Sequence, residues 1–424
     1  MNVHVVKTVP ITYEMVVEAY GKVKQGGKAV GVDHESWTDF EAKGVEKQLY
    51  VIWNRMASGS YFPKEVLEKE IPKKDGKTRK LGIPTIRDRI AQQVVKRYME
   101  QRIDAKFHPQ SYGYRPLKSA KEAIIQVREN CQKQDWVLDM DISGFFDEID
   151  HELMLKAVEA MGLENWIKVY VQRWLQMKVI KADGTVEEKG GKGTPQGGVI
   201  SPILANLFLH FGFDKWVEKH YGHIRFVRYA DDIIVHCASE AEAKQMLAAI
   251  QERLNQIGLR LNERKTKIVY CKDYRRKGKH AQVQFGFLGF SYQPREAKSK
   301  IIAGTSYTVF TPEISKENQK RIRDNIKETV NWRNTTQEME QIANKLNSKL
   351  RGWINYYGWG GKRQLQKTMF YLDTCLVKWL ARKHKERFLR SAQRLLEKQK
   401  EKPTLFYHWE NRYRSNYQRM TRAV

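Results

Sequence analysis

Phe226-Val-Arg-Tyr-Ala-Asp-Asp-Ile-Ile-Val-His236 decides the reading of the whole chain. Apolar and β-branched residues flank a Tyr-Ala-Asp-Asp centre, the pattern of a β-hairpin with Asp231 and Asp232 at its turn. Two adjacent carboxylates repel each other unless water covers them or a cation sits between them. A surface hairpin with an acidic tip meets the first condition, and a divalent metal meets the second. The upstream stretch Trp136-Val-Leu-Asp-Met-Asp-Ile-Ser-Gly-Phe-Phe-Asp147 favours the metal. It reads as another apolar strand, with Asp139 and Asp141 on one face at period two. A third carboxylate delivered beside the pair would complete a two-metal site of the kind that moves phosphoryl groups.

Composition narrows the partners. The 424 residues suffice for two or three domains. Lys and Arg number 76 against 49 Asp and Glu, a net charge of +27 spread along the chain. Such an excess favours a polyanion, either nucleic acid or an acidic membrane surface. No apolar run approaches the roughly 18 residues of a spanning helix, and Met1-Asn-Val-His-Val-Val-Lys7 lacks a signal-peptide core, so no membrane role is expected. Cys131, Cys237, Cys271 and Cys375 are far apart, with no Cys-x-x-Cys pair. That pattern suggests neither a zinc ribbon nor a disulfide framework and fits a reducing cytosol.

Working outward, helices are expected before about residue 60, joined by the glycine-rich Gly26-Gly-Lys-Ala-Val-Gly-Val-Asp33, read as a flexible connector or, more weakly, a phosphate cradle. Lys69 to Pro84 reads as a basic hairpin with a Lys-Asp-Gly-Lys tip. Lys73 and Arg79 on its two arms could grip a triphosphate or simply be solvated. A helix from Arg87 to about Arg102 precedes the loop Ser111-Tyr-Gly-Tyr-Arg-Pro116, whose aromatics and Arg115 suit nucleic-acid contact or an anchoring turn. One helix is expected from His151 to about Gln176. Gly190-Gly-Lys-Gly-Thr-Pro-Gln-Gly-Gly-Val-Ile-Ser-Pro202 then leads into an apolar helix, its glycines allowing close backbone approach and Gln196 offering an amide to a base or sugar. After a helix from Glu240 to about Ile257, a turn and strand place Lys265 and Lys267 near the acidic hairpin, and Phe285 to Tyr292 forms a short ribbon. Long basic helices are expected over 313–329, 336–353 and 364–400. Among them, Leu350-Arg-Gly-Trp-Ile-Asn-Tyr-Tyr-Gly-Trp359 mixes cations with rings, as either an RNA-stacking surface or a helix junction.

These motifs together resemble the bacterial group II intron-encoded reverse transcriptases, or maturases, over about residues 15 to 390. The likeness is carried by Gly-Val-Asp33, Ile71-Pro-Lys through Arg79, Ser111-Tyr-Gly-Tyr-Arg-Pro, Asp141-Ile-Ser-Gly-Phe-Phe-Asp, Gly193-Thr-Pro-Gln-Gly-Gly, Tyr229-Ala-Asp-Asp, Phe287-Leu-Gly-Phe and Arg351-Gly-Trp-Ile-Asn-Tyr-Tyr, in the family's order. The resemblance implies an α+β right-hand polymerase whose fingers and palm hold antiparallel sheet, followed by a helical thumb called domain X. On that pattern 1–60 is an N-terminal helical extension, 61–295 fingers and palm, 296–400 thumb and 401–424 a tail without an endonuclease domain. Asp141, Asp231 and Asp232 match the residues that bind two Mg²⁺, while Asp139 matches a strand neighbour rather than a ligand. Lys73, Arg79, Phe146, Gln196 and Lys265 match deoxynucleotide contacts, with Phe146 excluding a 2′-hydroxyl. Arg115, Gly197, Arg351, Trp353 and Tyr356 fall where template or RNA binds.

The expected activity is RNA-directed DNA synthesis in a bacterial cytoplasm, on an RNA template with a DNA primer, by a protein that also binds structured intron RNA and assists splicing. Two other readings share these motifs. One is a reverse transcriptase recruited by its host, for example into phage defence, that copies a dedicated non-coding RNA. The other is an RNA-binding splicing cofactor without catalysis, against which the three intact aspartates argue.

Overall fold

Thr85 shows how closely local chemistry follows the chain's pattern. Its side chain accepts from the Asp88 amide and caps helix Ile86–Ile103, while Asp88 accepts from the Thr85 and Tyr61 hydroxyls. The computed structural model describes residues 9–72, 78–298 and 304–413. Two compact units emerge, one of residues 1–127 with 137–268 and the other of 128–136 with 269–424. Among the described residues no helix is long and apolar enough to cross a membrane.

In the first unit the basic hairpin pairs Val66–Pro72 with Thr78–Ile83, setting Ile71 opposite Arg79. Val66–Pro72 also pairs, in parallel, with the two-residue strand Val179–Ile180. The acidic hairpin pairs Arg225–Tyr229 with Asp232–Cys237, Tyr229 facing Asp232. Its second strand neighbours Trp136–Asp141, which neighbours Lys267–Tyr270 in a four-stranded sheet. Two helical expectations and one loop expectation change. Gly162, at φ +72°, breaks the expected 151–176 helix into His151–Ala160 and Asn165–Leu175. The apolar helix Ser201–Leu209 continues into a π turn, His210–Asp214. The glycine-rich loop near residue 27, expected as a flexible connector, is tied down, since buried Arg89 donates to the Gly27 and Ala29 carbonyls.

The π turn has an identifiable partner. Arg228 and Asp214 are both fully buried and form a two-point ion pair, Nε to Oδ1 at 2.8 Å and Nη2 to Oδ2 at 2.6 Å. Arg228 Nη1 also donates to Asn206 Oδ1 and to the Ala230 carbonyl. Ala230 is the residue the acidic turn holds at φ +58°. Asn206 in turn donates to the Gly113 carbonyl, and residues 110–112 lie along the strand, Arg228 N–H donating to Gln110 O and Tyr112 N–H to Arg228 O. A Cβ on Gly113 would come within 2.5 Å of the Ala230 nitrogen, so only glycine fits there.

The second unit begins with the expected ribbon, Phe285–Phe287 and Phe290–Lys298, extended by Ser306–Ile314, a third strand the sequence reading took partly for helix. Helices Lys316–Thr329, Met339–Tyr357, Lys362–His384 and Phe388–Glu401 follow. Lys385, at φ +52°, divides the expected 364–400 stretch. The presumed tail is packed through residue 413. Phe406, His408 and Trp409 are fully buried, and His408 Nε2 and Trp409 Nε1 both meet Asp373 Oδ1 at 2.9 Å.

Removing one partner of a buried ion pair strands the other, at a cost of about 3–5 kcal/mol. Arg228→Met should lower unfolding free energy in urea by that amount, and Arg228→Met/Asp214→Leu should recover most of it. A double variant no more stable than the single one would contradict the pair's role.

Candidate active site

Three carboxylates gather at one end of the four-stranded sheet. Asp141 ends strand Trp136–Asp141, Asp231 lies in the adjoining turn, and Asp232 opens the strand beside it. Lys265 Nζ sits 3.0 Å from Asp141 Oδ2. It is placed there because Asn262 N–H donates to the Asp141 carbonyl at 2.8 Å and Lys265 N–H closes the following turn on Asn262.

Burial, with repulsion from Asp139, Asp231 and Asp141, holds the Asp232 carboxyl well above the ordinary carboxylate range. Burial also raises Asp231, helped by Asp141 and opposed by its own backbone hydrogen bond, Arg79 and Lys265. Asp139 is pushed up to about 7, chiefly by burial, with Asp141 adding to the shift and Lys267 opposing it. As a strand neighbour of Asp141 it adds to the repulsion felt by Asp232. Among the described residues no three carboxylate, imidazole or thiolate groups form a ready cage for a metal. The donor set nevertheless suits a hard divalent ion, being all carboxylate, crowded and only partly neutralised by one ammonium.

The glycine-rich loop is bound to the segment just after Asp141. Gly193 N–H donates to Ile149 O and Thr194 N–H to Phe146 O, both at 2.7 Å, while His151 Nε2 meets Gly193 O at the same distance. A Cβ on Gly193, which lies at φ +83°, would come within 2.9 Å of Asp147 O. On its other side the loop meets the basic hairpin, Gly82 N–H donating to Gln196 O at 2.7 Å. Gln196 Nε2 ends 3.5 Å from Asp147 Oδ2, beside a cavity of about 200 Å³ shared with Lys80, Lys189 and Lys192. Phe146 stands half-buried at the turn's start, its ring centroid 5.3 Å from that of Phe145.

Arg79 is exposed and close enough to influence both Asp231 and Tyr114, whereas Lys73 lies outside the described residues. The structure thus brings together Asp141, Asp231, Asp232, Lys265 and Arg79, with Phe146 and Gln196 on one connected loop system. Arg115 is a correction. All its N–H groups are spent internally, on the Asp104 carboxylate and the carbonyls of Asp104, His108 and Ser111, so it anchors its loop and has none left for RNA. Gly197 is likewise set by packing, since a Cβ there would lie 2.7 Å from Gly82 O.

In the second unit Arg351 is exposed over the Tyr407 ring, and Trp353 is half-buried. Tyr356 donates to Leu288 O at 2.9 Å and packs on Phe290, which makes it a helix-to-ribbon joint. Two more residues lie near the carboxylates, Arg228, which the sequence analysis did not single out, and Tyr114, one of the aromatics of the 111–116 loop. Arg228 is a cation inside an apolar strand, and that break in pattern was its only signal. Tyr114 lies beside Tyr229 at φ +55°, with a hydroxyl raised by burial and by Asp231.

Paired strands that deliver three carboxylates to one edge, flanked by a cationic hairpin and followed by a helical bundle, define a right-hand nucleic-acid polymerase. A family model described as reverse transcriptase (RNA-dependent DNA polymerase) matches residues 71–292, and one described as group II intron, maturase-specific domain, matches 319–396. The chain belongs to the group II intron reverse transcriptases, and it is an RNA-directed DNA polymerase. It is 27% identical to the group II intron-encoded protein LtrA of Lactococcus lactis subsp. cremoris, across 85% of this chain and 71% of LtrA. With Protein YkfC of Escherichia coli strain K12 it shares 31% identity over 59% of this chain and 74% of that protein. A solved telomerase from Candida tropicalis covers 54% of this chain and 53% of its own at 14% identity and a TM-score of 0.43, too slight a likeness to carry an argument.

Carboxyls of the unfolded chain titrate near 3.9, whereas Asp139 and Asp232 keep their protons in the metal-free fold to higher pH. Their contribution to stability is therefore fully present below the unfolded value and is lost as pH rises through the folded values. In chelator, the urea midpoint should fall as pH rises from about 4 to about 7, and Asp139→Asn/Asp232→Asn should remove the larger part of that fall. An undiminished fall in the double variant would assign it to other groups.

Proposed function

We infer that this chain extends a DNA primer on an RNA template by nucleotidyl transfer at Asp141, Asp231 and Asp232, and that it binds structured intron RNA and assists its splicing. The observation that carries this reading is the convergence of three carboxylates, with buried Asp231 and Asp232 at the turn that Arg228 holds and Asp141 at the end of the neighbouring strand. Two Mg²⁺ ions, when bound, would stabilise the attacking and leaving oxygens of an in-line displacement at the α-phosphate. Asp141, Asp231 and Asp232 would hold them.

The remaining roles belong to the chain's own side chains. Arg79, together with Lys73 six residues earlier in the sequence, grips the triphosphate of the incoming deoxynucleotide. Lys265 neutralises Asp141 before substrate arrives, then turns to the departing pyrophosphate. Phe146 places a ring where a 2′-hydroxyl would lie, and Gln196 supports the new base pair. The match of 319–396 to a maturase-specific domain supports the splicing half of the reading, with exposed Arg351 as one RNA contact.

Primer extension on an RNA template tests the polymerase half. Asp231→Ala/Asp232→Ala should lower the rate by about three orders of magnitude or more while leaving intron-RNA affinity unchanged. Phe146→Val should raise ribonucleotide use relative to deoxynucleotide by about tenfold to a hundredfold. Undiminished extension by the double aspartate variant would overturn the assignment of the site, and unaltered sugar selection would remove Phe146 from it.

A further inference from the structure

The second unit carries a hollow that the polymerase reading does not use. Its floor is one face of the strand pair Phe290–Lys298 and Ser306–Ile314, where Ala297 lies opposite Tyr307 and the short side chains of Val309 and Thr311 follow at period two. These small residues leave a cavity of about 450 Å³, within the range of ligand sites. Two walls rise from it. One is Tyr307 and the other Tyr274, whose rings stand at 89° with centroids 5.7 Å apart. They are 43% and 56% exposed, the two most exposed aromatic side chains of this unit among the described residues. At the rim lie Arg128 and Arg275, both exposed.

The walls are held rather than loose. Tyr274 N–H donates to Thr308 O at 2.9 Å, which ties its backbone to the ribbon. Arg275 Nη2 donates to Gln132 O and to Asp273 Oδ2, each at 2.8 Å, and its guanidinium lies 5.6 Å from the Tyr274 ring centre. Arg276 adds bonds to the Cys131, Gln132 and Cys271 carbonyls, fixing the loop on helix Ala120–Lys133. Two neighbouring tyrosines that each leave about half of their surface in water, on a hydrogen-bonded mount beside a hollow, offer ring faces that the fold does not cover.

We propose that this hollow binds an unpaired nucleobase of a single nucleic-acid strand, the base lying flat on one tyrosine with its edge toward the other, and Arg128 meeting the adjoining phosphate. Stacking of this kind accepts any base, because each has a π-face. The chemistry selects a strand over a free nucleotide. Two rim cations, one of them already shared with Asp273, track a backbone but do not enclose a triphosphate. The chain's net charge of +27 draws such a strand in.

The test uses the full chain carrying Asp231→Ala/Asp232→Ala, so that the outcome does not depend on the polymerase site. Short oligomers bearing one 5-iodouracil, in RNA and DNA forms, are crosslinked by light, and the crosslinked peptides are mapped and quantified. Crosslinks at Tyr274 or Tyr307 are expected, and Tyr274→Ala/Tyr307→Ala should lower occupancy of this site by about tenfold or more, its melting temperature unchanged. Tyr274→Phe/Tyr307→Phe, which keeps both rings, should retain affinity when binding is followed by fluorescence anisotropy. Loss in one arm alone names the strand as RNA or DNA, and equal loss in both assigns the site to either. Crosslinks that map elsewhere, or Phe variants as weak as the Ala variants, would overturn the proposal.

Discussion

The arrangement at the carboxylates rests on one buried guanidinium. Arg228 has no exposed surface, yet it meets Asp214 at two points, Asn206 at a third and the Ala230 carbonyl at a fourth. Each contact ties down a different part of the first unit. Asp214 comes from the π turn after the apolar helix, Asn206 from that helix, and Ala230 from the turn that presents Asp231. A cation so deep is stable only because its charge and its donors are met. The ion pair acts as a specific joint, with its bonds divided among elements that must come together for the acidic turn to take its shape. Glycine at 113 completes the joint by letting the neighbouring loop lie against the Ala230 nitrogen.

That joint holds an electrostatic arrangement that folding by itself does not favour. Desolvation raises Asp231 and Asp232, and their neighbours Asp139 and Asp141 add like charge. Lys265 relieves part of the repulsion through Asp141, and Arg79 through Asp231. Incomplete compensation is what a site for further cations requires, because a fully neutralised cluster would have no affinity left to offer. The glycine-rich loop joins this centre through backbone bonds to 146–149 and to Gly82, so its most distinctive residues serve approach distances. Gly193 and Gly197 sit at positive φ against carbonyl oxygens, where a side chain has no room.

Much of this could be read from residues alone. The alternation around Asp231 and Asp232 marked a hairpin, and period two put Asp139 and Asp141 on one face of its neighbour. The placement of Lys265 followed from the turn before its strand. What escaped were features written in three-dimensional contact. Arg115 reads as an RNA ligand in a loop rich in rings, but Asp104, eleven residues earlier, takes its guanidinium. The breaks at Gly162 and Lys385 depend on single left-handed residues inside otherwise helical patterns. Strand Ser306–Ile314 exists because it pairs along its whole length with Phe290–Lys298, a partnership its own composition does not announce. The same holds for residues 405–413, where a short polar and aromatic stretch is buried by the acceptor that Asp373 offers to His408 and Trp409.

The central claim is that the carboxylates on the two adjoining strands act as one divalent-cation site. Anomalous diffraction from crystals of the protein with Mn²⁺, a primer–template and a non-reacting deoxynucleotide analogue tests it most directly. Two peaks about 3.5–4 Å apart, each within bonding distance of Asp141, Asp231 or Asp232, are the predicted result. Manganese bound at other residues, with these three carboxylates bare beside a seated nucleotide, would contradict the account.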